Sequence, residues 1–269
     1  MPLSLYCFQL LRIETFSKFD VPVMKGLLVR IGIDKSYGHW NAPVDLESGE
    51  FIYVPIPEEK PLTCGLERRY SELIPLLTEF SEKRSKNLDR DLGFPRNLRS
   101  QNMHLDPDFD YLTYGDVGTN RGFEITNMKD GDIIAFYGSL RPIKSNQNRL
   151  VYALMGLYVV NDVVWANNVP EHLWKENAHT RRECIKDIDI IVFAKPQMSG
   201  RLAQCIPIGE WRNRAYRVRN DLLDAWGGLS VKDGFIQRSA VPPSFLKPEK
   251  FYCWFMQQGI SLIQRNNCA

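Results

Sequence analysis

Two apolar stretches dominate the hydropathy pattern, residues 132–140 (DIIAFYGSL) and 150–160 (LVYALMGLYVV). Short runs rich in β-branched and aromatic residues, bounded by polar turns, predict strands. Residues 141–149 are polar, contain Pro142 and would join the two as a long hairpin loop. Residues 26–34 (GLLVRIGID) predict a buried strand, and 50–56 (EFIYVPI) alternates as a second one. Further strands are expected at 189–194 and 203–208. The spacing of Tyr70, Leu73, Ile74, Leu77 and Phe80 by three and four predicts an amphipathic helix over 67–83, kinked or broken at Pro75. Residues 84–103 are charged and polar, as expected of an exposed connector. Helices are also expected over 170–183, entered at Pro170; over 221–226, capped by Asn220 and stopped by Gly227-Gly228; and over 250–258. Strands dominate and helices are interspersed. The expected class is α+β: a curled mixed β-sheet or partial β-barrel with flanking helices.

Composition narrows this little. The 269 residues include 34 Lys+Arg against 32 Asp+Glu, a net charge of +2. That balance excludes a histone-like polycation, and 44% hydrophobic with 25% charged residues excludes disordered and collagen-like chains. The six cysteines form no C-x-x-C pair, and the four histidines lie in no zinc spacing, which points to reduced thiols and a cytoplasmic setting. No apolar run is long enough for a membrane helix, so no membrane partner is expected. The start, MPLSLYCFQLLRI, is interrupted by Gln9 and Arg12. Residues 1–23 are therefore read as an extension from an upstream start codon, with 24–269 as one domain.

Four segments carry candidate chemistry. In the first, Asp34 ends a buried strand and leads into the polar, aromatic turn Lys35–Pro43. A rigid strand end followed by a shapeable loop suits an active-site carboxylate. Asn41 has the amide needed to read a base edge, and Tyr37 could stack on a base. The plainer alternative is an Asp that caps its own turn. In the second, HLDPDFDYLTYGD (104–116), Asp106, Asp108 and Asp110 alternate. The loop fails as an EF-hand, because Pro107 interrupts it and the closing Glu is missing. Asp108 or Asp116 could instead stand at a pocket wall, with Arg121 as partner. In the third, Tyr137, Ser139 and Arg141 alternate onto one face of a strand end. In the fourth, Arg201, Arg212, Arg214, Arg217 and Arg219 face only Glu210 in sequence, with Trp211 and Tyr216 between them. Guanidinium forks suit phosphates and aromatics suit bases, and Gln237 with Arg238 could extend the surface. The alternative is a strand face paired with acids elsewhere. Walker, dinucleotide, nucleophile-elbow and zinc-deaminase motifs are missing.

Together these segments resemble the third class of nucleotide-modification-associated domains of bacteria and their phages. The likeness rests on LLVRIGIDKSYGHWNAP (27–43), HLDPDFDYLTYGD (104–116), GDIIAFYGSLRP (131–142), LVYALMGLYVV (150–160), SGRLAQCIPIGEWRNRAYRV (199–218) and LLDAWGGLSVKDGFIQRSAVPP (222–243). Asp34, Asn41, Pro43, Asp132 and Leu150–Ala153 also match the plan of the sister second class, from which this chain departs with Leu154 where Met would stand and Met155 one later. The resemblance implies action on, or reading of, modified bases.

The expected function is a DNA glycosylase that flips and excises modified bases, such as hypermodified cytosine, in defence against phages. Its catalytic carboxylate would be Asp34, with Asp108 or Asp116 second. Tyr37, Asn41, Tyr137 and Gln237 would bind the base. Arg141, Arg201, Arg212, Arg214, Arg217 and Arg238 would hold phosphates. N-glycosidic cleavage requires no metal and no organic cofactor. Two rivals are a non-catalytic reader of modified bases and an enzyme of modified-nucleotide metabolism. The expected partner is phage DNA with modified bases.

Overall fold

The computed structural model describes residues 24–84, 91–119, 122–144, 149–238 and 241–267. The proposed extension 1–23, Arg121 and the centre of the 141–149 loop lie outside the described residues.

Among the described residues, twelve strands and four α-helices follow in order. The strands are β1 (Gly26–Arg30), β2 (Pro43–Val44), β3 (Ile56–Pro57), β4 (Met103–His104), β5 (Thr113–Val117), β6 (Ile133–Pro142), β7 (Val151–Trp165), β8 (Asp189–Ala194), β9 (Gly200–Pro207), β10 (Gly209–Arg212), β11 (Ala215–Val218) and β12 (Leu262–Ile263). The helices are α1 (Ile74–Glu82), α2 (Phe123–Thr126), α3 (Asn220–Trp226) and α4 (Pro248–Gln257). One mixed sheet of eight strands runs β1-β6-β7-β8-β5, with β2 on β6, β9 on β7 and β12 on β9. It is open, not a closed barrel. The β1–β6 pairing is parallel, whereas β6–β7, β7–β8 and β5–β8 are antiparallel.

The continuous apolar runs of β6 and β7 are explained by burial on both faces. On β6, Ile134 and Phe136 enter one core while Ile133, Ala135 and Tyr137 enter the other. On β7, Ala153 and Met155 share the first core, then Tyr158 and Val160. This change of parity falls at a β-bulge: Phe136 pairs with Gly156 and Tyr137 with Leu154, leaving Met155 as the extra residue. Gly156 is required there, because a Cβ on it would meet the Phe109 ring at 2.6 Å.

Several local expectations change. The 67–83 segment divides at Pro75, which sits in the first turn of α1 behind a 3-10 turn at Tyr70–Leu73. Strand 26–34 stops at Arg30, and Gly32 then takes φ +80. Most of 50–56 is buried but outside any extended ladder, with Phe51 bridging Val44 and β3 starting only at Ile56. The 84–103 connector is not wholly exposed, because Leu92, Phe94 and Leu98 enter the core. Residues 170–183 form only a 3-10 turn, Glu171–Glu176. Asn220 is the first residue of α3, with Arg219 at the cap, and Gly227 ends the helix at φ 77. Among the described residues, no helix is long and apolar enough to cross a membrane.

Candidate functional site

A cleft of about 940 Å³ opens where β1 ends, and it is lined by Arg30, Asp34, Tyr37, His104, Asp106, Tyr114, Asp116, His179 and Arg238 among others. Its residues arrive from five places, Arg238 coming from the stretch between α3 and α4. The chain leaving β1 carries Arg30, Asp34 and Tyr37. The β3–β4 pair, in which Ile56 faces His104, delivers His104 and then Asp106. Strand β5 supplies Tyr114 and Asp116, and the segment before β8 supplies His179.

Asp34 does cap its turn: Oδ1 accepts the backbone N–H of Ser36 at 2.6 Å and of Tyr37 at 2.9 Å. Its other oxygen meets Arg30 Nη2 at 2.8 Å and faces the cleft. Arg30 also donates to Ser139 Oγ at 3.2 Å and to the Gln237 carbonyl. Tyr37 is 56% exposed, open enough to receive a planar ligand. Asp116 is half-buried and accepts the Tyr114 hydroxyl at 2.9 Å.

The floor of the cleft is a cluster that chain spacing conceals. The Nδ1 of His104 lies 2.6 Å from Glu58 Oε2, and the Nδ1 of His179 lies 2.6 Å from Asp189 Oδ2. Ionised carboxylates only accept, so both Nδ1 atoms carry the proton. Both Nε2 atoms turn to Asp106 Oδ2, each at 3.8 Å, beyond hydrogen-bond reach. Asp106 is oriented through Oδ1, which accepts Gly115 N–H at 2.6 Å and Asn177 Nδ2 at 3.4 Å. Arg182 reaches both supporting acids, Glu58 at 3.2 Å and Asp189 at 3.4 Å.

Burial pushes the His104 imidazole down to about 4, against the Glu58 hydrogen bond, which would raise it. Burial would raise the Glu58 carboxyl, but the His104 hydrogen bond and the Arg182 charge pull it down to about 2. Burial drives the Asp106 carboxyl well above its ordinary range, with the Gly115 N–H opposing. Three ligand-type atoms, from His104, Asp106 and His179, thus lie within 4.8 Å of one another. Two imidazoles and one carboxylate are the donor set that suits a first-row transition metal.

The remaining candidates lie elsewhere. Asp108 is fully buried and paired with Arg181 at 2.5 Å, and it also accepts from Asn266 at 2.8 Å. Asp110 shares the Asn266 Nδ2 donor with Asp108, whereas Asp106 lines the cleft, so the three alternating acids do not form one cluster. Asn41 is buried and donates to the Ser139 carbonyl at 2.9 Å. Tyr137 is buried and donates to the Ile236 carbonyl at 3.0 Å. Gln237 accepts the backbone N–H of Tyr216 at 3.0 Å. Arg141 donates to the Leu92 carbonyl at 2.5 Å.

The arginine segment largely follows the alternative reading, a face paired with acids. Arg201 is buried, bonded to the Leu202 carbonyl at 3.1 Å and stacked over Phe51. Arg212 and Arg217 both reach Asp233, at 3.0 and 3.4 Å, and Arg219 pairs with Asp221 at 3.1 Å. Tyr216 stacks on Tyr152 with ring centroids 4.2 Å apart. Arg214 is exposed in the β10–β11 turn at φ 61, and Arg238 is exposed at the cleft.

Asp34, Tyr37, Asp116 and Arg238 therefore share one cleft, joined by residues to which the sequence assigned no role, Arg30, Glu58, His104, His179 and Arg182, and by Asp106, which it weighed only as part of a calcium-type loop. The one visible signal was His104-Leu-Asp106, an alternation that puts both side chains on one face of an extended segment. No solved structure and no curated protein matches the chain. The family model for nucleotide modification associated domain 3 matches residues 25–228, a span that holds every cleft residue named above except Arg238. The chain belongs to that family, and its cleft is one of a protein associated with nucleotide modification.

Proposed function

We propose that the protein acts on modified bases in DNA and hydrolyses the N-glycosidic bond of a flipped nucleotide. The carrying observation is the shared opening of Asp34, Asp116, Tyr37 and Arg238 onto one cleft, in a chain of this family. The cleft's volume suits a nucleotide bearing a bulky base substituent. Tyr37 stacks on the extruded base and Arg238 meets a flanking phosphate. Asp34, oriented by Arg30 and two backbone amides, stabilises positive charge developing on the sugar. Asp116 orients water for addition to C1′. The C1′–N bond breaks, the base leaves with a proton and an abasic sugar remains. Phage DNA is the proposed substrate source, and the cytoplasm is the proposed setting.

The test is incubation of the full chain with unmodified and phage-modified DNA, followed by detection of alkali-labile sites and released base. Base release from modified DNA alone supports the proposal. Tight binding without product identifies a reader instead, and turnover of mononucleotides alone identifies an enzyme of nucleotide metabolism.

A further inference from the structure

We propose that His104, Asp106 and His179 form a binding site for one divalent first-row transition-metal ion at the floor of the cleft. The proposal goes beyond glycosidic cleavage and does not depend on it.

The first argument is convergence. His104, Asp106 and His179 each offer a ligand atom within 4.8 Å of the other two, and both Nε2 atoms lie 3.8 Å from Asp106 Oδ2. Such contacts are too long for hydrogen bonds. They exceed by a few tenths of an ångström the about 3.4 Å between neighbouring ligands on a tetrahedral ion with bonds of about 2.1 Å, so a small inward movement of the side chains completes the site. Three ligand-type groups therefore border a common volume, and an ion there would take the place of the Asp106 proton.

The second argument is support. Each imidazole donates its Nδ1 proton to a carboxylate, His104 to Glu58 and His179 to Asp189, at 2.6 Å in both cases. This fixes the tautomer that leaves Nε2 as the ligand atom. The same carboxylate–histidine relay lies behind metal-bound histidines generally, where it orients the ring and raises its basicity. Two independent histidines with this support, aimed at one carboxylate, are more than a lone core pair requires. Asp106 is likewise held by its other oxygen, leaving Oδ2 directed at the site.

The third argument is access. All three residues line the cleft, so an ion bound on this side keeps positions open for water or substrate. Two imidazoles and one carboxylate with open positions match iron, cobalt, nickel, zinc or manganese in the divalent state better than calcium or magnesium. The bound ion would face the same volume as Asp116 and would lower the pKa of a coordinated water.

The test needs no nucleic acid, so its outcome is separate from that of the base-release assay. The full chain is stripped with a chelator, then titrated with Zn²⁺ by calorimetry and with Co²⁺ by visible absorption. The expected result is one equivalent per chain, with Co²⁺ ligand-field bands. Affinity falls at least about 100-fold in His179→Ala and in Asp106→Asn, and about 10–100-fold in Glu58→Gln. The exposed His172→Ala leaves it unchanged. X-ray absorption on the Co²⁺-loaded wild type shows scattering from two imidazoles, which decides the matter even if the variants do not fold. Failure of the folded wild type to bind any of these ions stoichiometrically would overturn the proposal. So would a bound ion without two imidazoles, or wild-type affinity in a folded His179→Ala.

Discussion

Arg181 donates to Asp108 across 2.5 Å in the interior, and the side chains are only 3% and 0% exposed. A buried pair of this kind is a structural strut: removal of one partner strands the other charge in a medium that cannot solvate it. Asp108→Ala should therefore lower unfolding free energy by about 3–5 kcal/mol. Equilibrium urea denaturation measures it. Base release per folded molecule should stay at the wild-type level, and a stable but inactive Asp108→Ala would return this residue to the catalytic list.

Asp34 and Asp116 separate differently. An asparagine at 34 keeps an acceptor for the Ser36 and Tyr37 amides but loses the charge facing Arg30. Asp34→Asn and Asp116→Asn should each fold normally and lose about 10²–10⁴-fold in base-release rate. Single-turnover kinetics on modified DNA, with circular dichroism as the folding control, gives the answer. Full activity in either variant would remove that residue from the mechanism.

The arginines divide by partner, and salt titration of DNA binding can read the division. Arg214 and Arg238 are exposed, so alanine at a residue that contacts phosphate should reduce the slope of log K against log salt by about 0.9. Arg201 is bonded inside the protein, and Arg201→Ala should leave the slope unchanged while lowering thermal stability. A slope that shifts with Arg201 and not with Arg214 or Arg238 would invert the assignment.

Gly115 is a steric requirement of the cleft floor. A Cβ there would sit 2.5 Å from His179 Cδ2 and 2.9 Å from Asn177 Oδ1. The ring cannot yield easily, because Asp189 holds its far side. Gly115→Ala should preserve secondary structure but weaken Co²⁺ binding at least about 10-fold, since the ligand atom is displaced. The depth of the ligand-field bands at fixed Co²⁺ is the readout, and undiminished binding would show that the ring has room to move.

Much of the sheet was legible because β6 and β7 are long, apolar and bounded by turns. The bulge at Met155 was not legible, since an extra residue in one strand is defined only against its partner. The helix around Pro75 was legible from its spacing, with the break at the proline, whereas 170–183 is only a 3-10 turn, because a proline can open that turn as well as an α-helix. Asp34 and Tyr37 were legible as a strand end entering a turn, and that local logic placed them in the cleft. His179 was not legible, because its relation to His104 and Asp106 is made by the pairing of β5 with β8 rather than by spacing. The counter-charge of Arg212 and Arg217 was not legible for the same reason: Asp233 belongs to a later stretch of chain.

Arg182 has a consequence for how this region can change. One guanidinium reaches Glu58 through Nη2 and Asp189 through Nη1, so the two acids share a counter-ion. Neutralising either acid releases part of that guanidinium to the other, and the two losses will not sum. A double-mutant cycle on Glu58→Gln and Asp189→Asn should show a coupling of about 0.5–3 kcal/mol in stability. What a substitution at one of these positions costs therefore depends on the residue at the other, so the two histidine supports behave as one unit.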